Sequence, residues 1–368
     1  MKVVVNGTCI NGIESGAKNR FRSIYNFIIN KNPNIHFYIL EPKDYSLENI
    51  INKKENVSFI KTKCLSYFAF QRYLWSIFTI PRIIKKIQPD VYEQSHLPLL
   101  KIPNVKIIFT IHDIRYSVKG LSLHGLFRPS FISNFFLAQA LKNSDKIITV
   151  SHTVKNEINK LFQNNNTEVV YNPIKFDSNN LMLKKELTQN SSLKVLNEEL
   201  FFLSVGSFEK RKNYETIIFA AYLLNKIGIN VKFCFVGFQT EYLKYLKKII
   251  KNLGLSNDIF LYHDISDDDL AKLYINCYAF IYASKYEGFG IPLIEAINFN
   301  CNIILSNIRV FREITDNKGI FFNNKSPEDL CHRIIETIYN EINKFKINKN
   351  VLDKFTLDKI TNKIVELY

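Results

Sequence analysis

The feature that most constrains this chain is a rhythm. Short, unbroken apolar runs alternate with helical patterns of about 10–15 residues. Strand signals fall at Val3–Val5, His36–Leu40, Val57–Ile60, Val105–Ile111 and Lys146–Val150. Helical patterns at Arg20–Asn30, Tyr73–Lys86, Ser130–Lys142 and Thr153–Phe162 separate them. Strands without polar alternation are buried on both faces, as in a parallel sheet covered by helices. The rhythm restarts with strands at Leu200–Val205, Val231–Val236, Ile259–Tyr262, Ala279–Tyr282, Ile303–Leu305 and Gly319–Phe322. Tyr214–Ile227, Glu241–Leu253, Asp267–Asn276 and Pro292–Asn298 read as its helices. Between the runs, Tyr171–Ser192 is rich in Asn, Ser and Lys, carries Pro173, and reads as a linker.

The fold expected is therefore α/β, two Rossmann-like doubly wound domains in tandem. Boundaries are placed at residues 1–175 and 176–352, with 353–368 a C-terminal helix packing back on the first domain. Ligands of such sheets sit outside the carboxyl ends of the strands, so two sheets facing each other would share a cleft.

Composition closes other doors. The 368 residues are 46% hydrophobic, with 30 Phe and 19 Tyr, which excludes a disordered chain. Six scattered Cys without a C-x-x-C spacing read as reduced packing residues of a cytoplasmic protein. No stretch reaches the ~18 uncharged apolar residues of a membrane span. The nearest, Tyr67–Ile84, is broken by Gln71, Arg72, Pro81 and Arg82. The seven His show no close ligand spacing, and no metal site is expected. Charge is uneven. Residues 1–190 hold 26 Lys+Arg against 13 Asp+Glu, whereas the remainder holds 23 against 21. A basic half suits a polyanion or an anionic membrane face, and a lysine-rich solvated surface explains it equally well.

The strongest chemical signal is Glu287-Gly-Phe-Gly-Ile-Pro-Leu-Ile-Glu295. Pro292 suits a first helical turn and Gly288 and Gly290 a tight bend before it. Glu287 is placed in the loop ahead of a helix and Glu295 in its first turn. A helix N-terminus there is an anion site, and carboxylates beside it suit sugar hydroxyls next to a bound diphosphate. The second signal is Val205-Gly-Ser-Phe-Glu-Lys-Arg-Lys-Asn213, just past a strand. Lys210, Arg211 and Lys212 cluster in one loop, where Gly206 allows close backbone approach. Neither a P-loop nor a G-x-G-x-x-G fingerprint is present. Third, Thr110-Ile-His112-Asp113 ends a strand of the first half, placing an imidazole at the carboxyl edge; Ser151 has the same address. Asp267-Asp-Asp269 contains a D-x-D pattern, read as capping charge on a helix rather than a metal site.

Several of these pieces together resemble the retaining glycosyltransferases of family four, whose architecture (GT-B) is two Rossmann-like domains facing across a cleft. They are the Gly-bearing first loop, Ile111-His-Asp113, Ile147-Ile-Thr-Val-Ser151, Val170-Tyr-Asn-Pro173, Val205-Gly through Arg211-Lys-Asn213, and Glu287 through Glu295. The resemblance implies that Glu295 holds the donor ribose. Glu287, Gly288, Phe289 and Gly290 would then hold the transferred sugar, and Arg211 and Lys212 the diphosphate. It further puts Gly206 and Ser151 on the donor, Ile265 near the base, Gly16 near the phosphate and His112 near the anomeric centre. Catalytic roles fall to His112, Glu287, Lys212 and Arg211. Two departures stand out: Ala296-Ile-Asn-Phe-Asn-Cys-Asn302 replaces the family's small-residue stretch, and Gly12-Ile-Glu-Ser-Gly16 is an unusual first loop.

The function implied is retaining hexose transfer, mannose first, from a nucleoside-diphosphate sugar. The acceptor would be a glycan or lipid-linked saccharide of a bacterial surface polysaccharide. The resemblance implies no cofactor and no metal, no nucleic-acid partner, and a cytoplasmic protein in peripheral contact with the inner membrane face. A nucleotide-sugar epimerase or hydrolase of the same fold is the alternative, and a nucleic-acid-binding protein, prompted by charge alone, a more distant one.

Overall fold

The computed structural model describes residues 1–13, 16–66, 69–115, 130–164, 166–174, 193–197, 200–339 and 347–368. The fold divides into two compact units. One comprises Met1–Lys175 with Lys354–Tyr368, the other Phe176–Asp353. The linker residues 175–192, and residues 14, 15, 67 and 68 of the segments discussed above, lie outside the described residues.

The described residues of unit 1 hold seven strands: β1 (Lys2–Asn6), β2 (His36–Glu41), β3 (Val57–Lys61), β4 (Val91–Gln94), β5 (Lys106–Ile111), β6 (Lys146–Thr149) and β7 (Thr167–Val169). They form one sheet in the order β3-β2-β1-β4-β5-β6-β7, every pairing parallel. Helices α1 (Gly16–Lys31), α2 (Ala69–Ile87), α3 (Ser130–Asn143) and α4 (His152–Phe162) connect them. Val3 and Val4 are wholly buried on opposite faces of β1, so each meets a separate apolar cluster. This double burial is what the unalternating Val3–Val5 run requires.

Unit 2 repeats the plan with β8 (Phe201–Val205), β9 (Lys232–Val236), β10 (Ile259–Tyr262), β11 (Ala279–Tyr282), β12 (Asn302–Ser306) and β13 (Ile320–Phe322). Their order is β10-β9-β8-β11-β12-β13, again parallel throughout. Among the described residues six helices accompany them: α5 (Tyr214–Lys226), α6 (Glu241–Asn252), α7 (Asp267–Asn276), α8 (Ile291–Asn298), α9 (Arg309–Ile314) and α10 (Pro327–Tyr339). Ser266 caps α7 by accepting from Asp269 N at 3.1 Å, so the three aspartates form its first turn. The chain then returns to unit 1 as α11 (Leu357–Glu366), which packs on α1.

In each unit the strand order reverses once, between β1 and β4 and between β8 and β11. Such a reversal parts the connecting loops and opens a crevice at the carboxyl ends, the usual seat of a ligand.

Four elements are absent from the sequence expectation: β4, β7, α9 and α10. Strand β7 is three residues long, and β4 ends in Glu93-Gln94, polar residues that are nonetheless buried. Helix α1 starts at Gly16, four residues before the expected Arg20, so Gly16 opens a helix instead of lying in the first loop.

Candidate active site

At the switch point of unit 2, the loops after β8 and β11 are laced together. Lys285 N donates to Arg211 O at 2.8 Å. Asn213, in the left-handed region (φ 60°), donates through Nδ2 to Ala283 O (3.1 Å) and Asn324 O (2.8 Å). Gly206 leaves room for the Lys212 stem, because a Cβ there would lie 3.2 Å from Lys212 Cε.

These contacts set Arg211 and Lys212 on one carboxylate. Lys212 Nζ donates to Glu287 Oε1 at 2.6 Å, and Arg211 Nη1 donates to Oε2 at 2.8 Å. The Ser284 and Tyr282 hydroxyls also donate to Oε1, at 2.7 and 3.2 Å. Tyr282 Oη accepts a second Lys212 proton at 2.9 Å. On its other edge Arg211 Nε donates to Glu209 Oε2 at 2.8 Å. Lys212 and Glu287 are both buried. Burial alone would raise the Glu287 carboxyl, but Arg211 and Lys212 outweigh it and hold the group at about 2. Burial pulls the Lys212 ammonium below the usual lysine range, with Glu287 opposing. The guanidinium of Arg211 is driven up by Glu287 and Glu209 against the effect of burial.

The structure adds to one expectation and corrects another. Within the basic trio Arg211 and Lys212 are paired with Glu287 and Glu209, and Lys210 is exposed. Glu295 does not lie in the first turn of α8. Gly290 caps the helix with φ 116°, Ile291 begins it, and Glu295 falls one turn further in. There it is buried and accepts from Tyr274 Oη at 3.0 Å. Gly290 is held to glycine by crowding too, as a Cβ would lie 3.1 Å from the Phe311 ring. Phe289 is buried beside it, and Ile265 is half-buried between β10 and α7. Tyr282 and Ser284, at the end of β11, were not singled out from sequence; two hydroxyls just before the Glu287 loop were the available signal.

The remaining candidates belong to unit 1. Ser151 caps α4, its hydroxyl accepting from Val154 N at 3.1 Å, which gives it a structural task. His112 follows β5 and lines a small open recess at the carboxyl ends of β1, β4 and β5. Burial, reinforced by the nearby Arg20 cation, pushes its imidazole down to about 3. His112 is therefore neutral at physiological pH. Among the described residues no group of three or more His, Cys, Asp or Glu is disposed to hold a metal, and no helix is long and apolar enough to cross a membrane.

Two parallel-sheet α/β units in tandem are the plan of the GT-B fold, and comparison with solved structures agrees. Sucrose-phosphate synthase from Thermosynechococcus elongatus aligns over 100% of this chain and 98% of its own, with TM-score 0.80 and 14% identity. Anabaena Alr3699/HepE, solved in complex with UDP and glucose, aligns over 100% and 98%, with TM-score 0.72 and 16% identity. In sequence, residues 16–178 match the Glycosyltransferase Family 4 model and residues 186–352 the Glycosyl transferases group 1 model. The chain belongs to this glycosyltransferase family. Among curated relatives, the O-antigen chain mannosyltransferase RfbU of Salmonella typhimurium is 28% identical over 71% of this chain and 75% of its own length. Mannosyltransferase relatives from Escherichia coli named WbdA are matched over less than a third of their length.

Proposed function

We propose that the chain transfers a hexose, mannose first, with retention, from a nucleoside-diphosphate sugar to a glycan or lipid-linked acceptor of a surface polysaccharide. The observation that carries this is the buried Arg211–Lys212–Glu287 cluster at the unit 2 switch point. A leaving diphosphate gains charge as the anomeric C–O bond breaks. Cations already oriented by a carboxylate stabilise that charge without reorganising. The incoming acceptor oxygen forms the new bond on the same face, and its proton passes to the departing phosphate oxygen. Fixed side-chain cations supply what a metal would, so activity persists in chelator. Glu295, held by Tyr274, takes the donor ribose, and the loop from Glu287 to Gly290 takes the sugar. The mannosyltransferase relative supports the choice of mannose, and the UDP complex of HepE supports a nucleotide donor.

The test is a panel of nucleotide sugars incubated with lipid-linked acceptors and read by mass spectrometry, with the anomeric configuration of the product assigned by NMR. A mass gain of one hexose with the donor's configuration is expected. Sugar turnover without any acceptor, or an inverted product, would defeat the reading.

Acceptor lipids lie at the cytoplasmic membrane face, and unit 1 suits that surface. Leu74 and Phe78 are exposed on α2 in helical register with exposed Arg82 and Lys85. Binding to vesicles rises with anionic lipid content and falls with salt; equal binding to neutral vesicles would contradict it.

A further inference from the structure

Two free thiols meet ahead of the β11–β12 pair in unit 2. Cys277 ends α7, and Cys301 sits in the turn between α8 and β12. Ala279 pairs with Asn302, and Asn302 Nδ2 donates to Tyr278 O at 2.8 Å, so the residues leading into the two strands run side by side. Strands paired in this way lie ~4.8 Å apart, and a disulfide spans ~4.4–6.8 Å between Cα atoms. The sulfurs are already in contact, with Cys277 Sγ 3.8 Å from Cys301 Sγ. Cys301 is buried, whereas Cys277 is partly exposed.

Both thiols also reach one carbonyl. Tyr274 O accepts from Cys301 Sγ at 3.1 Å and from Cys277 Sγ at 3.4 Å. The backbone beyond α7 turns elsewhere, since Cys277 N donates to Leu273 O and Tyr278 N to Phe201 O. The same tyrosine is buried and donates through Oη to Glu295 at 3.0 Å. Its ring stacks on Phe299, with centroids 5.3 Å apart, and Phe299 N donates to Glu295 O. The thiol pair, the last turn of α7 and Glu295 therefore form one packed unit.

From this geometry we infer that Cys277 and Cys301 form a redox switch: a disulfide between them loosens the hold of Tyr274 on Glu295 and lowers nucleotide affinity. The inference rests on the reading of Glu295 as the donor-ribose ligand. A hydroperoxide is the oxidant. The Cys277 thiolate attacks one oxygen of hydrogen peroxide, the O–O bond breaks, and the other oxygen leaves as water with the thiol proton. Cys301 Sγ then attacks the sulfenic sulfur of Cys277. The S–S bond forms, the S–O bond breaks, and the hydroxyl leaves as a second water with the Cys301 proton. Two thiols and one hydrogen peroxide become one disulfide and two waters, and a dithiol reductant reverses the step by exchange.

The disulfide has no S–H to give. Tyr274 O loses both donors, and a buried carbonyl left without partners is costly. Closing the sulfurs from 3.8 Å to the ~2.05 Å of a disulfide also draws the end of α7 towards the α8–β12 turn. Tyr274 moves with that end, and its hydroxyl is what holds Glu295. The hydrogen bond to Cys301, with burial, holds the Cys277 thiol well above its usual range. The thiolate fraction is therefore small, and the pair stays reduced until oxidant accumulates.

The experiment uses the full chain, hydrogen peroxide as oxidant and dithiothreitol as reductant. Intact mass, a non-reducing peptide map, melting temperature and affinity for GDP and UDP are recorded in each state. Peroxide should link Cys277 to Cys301 with the loss of two hydrogens and weaken nucleotide binding by ~10-fold. Dithiothreitol should restore both. Cys301→Ser keeps a hydroxyl donor for Tyr274 O, so it should bind nucleotide as wild type does and keep that affinity through peroxide. Cys277→Ser should behave in the same way. Cys277 and Cys301 recovered unlinked from peroxide-treated wild type overturn the switch. The same loss of affinity in a folded Cys301→Ser also overturns it, because another oxidised residue is then responsible. A Cys277–Cys301 link with unchanged nucleotide affinity overturns the switch and leaves the donor reading standing. A reduced chain that binds neither GDP nor UDP removes the ribose reading, and the switch falls with it.

Discussion

Lys212→Ala is expected to lower kcat by ~100-fold or more, the scale of removing one preorganised donor to a developing anion. The ammonium is buried, fixed by Glu287 at 2.6 Å and Tyr282 at 2.9 Å, and so is already aimed before any donor arrives. Because the leaving diphosphate gains charge in the transition state, the loss should exceed any change in donor affinity. Arg211→Lys is expected to be costly as well. Its guanidinium bonds Glu287 and Glu209 through separate nitrogens, and an ammonium cannot span both. Steady-state kinetics against donor concentration separates the cases. A Lys212→Ala enzyme with raised donor KM and unchanged kcat would make the loop a uniform binding element, and leaving-group stabilisation would have to come from elsewhere.

What the sequence made legible follows from how far apart the cooperating residues lie. Parallel strands buried on both faces write themselves as apolar runs, so β1, β5, β8 and β11 stand out. Strand β4 does not, because Tyr92, Glu93 and Gln94 are polar or amphipathic although all are buried. The contacts that justify burying them come from Asn6 and Tyr368, distant in sequence, and from the backbone carbonyls of His96 and Pro98 just beyond the strand. The unit 2 cluster was legible in part for the converse reason: Arg211, Lys212 and Glu287 each sit in a compact glycine-bearing motif. Their pairing was hidden. Spacing along the chain shows three cations in a row, whereas only the fold shows that one carboxylate 75 residues from Lys212 takes two of them.

That pairing makes Glu287 the residue whose loss should alter stability and chemistry together. Glu287→Ala leaves Lys212 buried without its counterion, and breaking a buried pair in this way costs ~3–5 kcal/mol. Glu287→Gln keeps the volume and one acceptor for Ser284, and is the variant in which a folded enzyme can be assayed. The pH dependence has a definite sign. With its folded pKa held at about 2 against an ordinary 4.5, Glu287 binds a proton less readily in the folded chain than in the unfolded one. Its contribution to stability is therefore complete above the ordinary value and is lost as the pH falls from 4.5 towards 2. The melting-temperature gap between wild type and Glu287→Gln should be full near neutrality and shrink across that acid window. A nucleoside diphosphate supplies the negative charge that the variant lacks, so it should raise the melting temperature of Glu287→Gln more than that of wild type. Turnover should still fall, because a diphosphate that replaces Glu287 no longer meets cations oriented in advance. Calorimetry of both proteins with and without nucleotide checks each part. Equal nucleotide gains together with a pH-independent gap would show that Glu287 is not the counterion holding Arg211 and Lys212 in place.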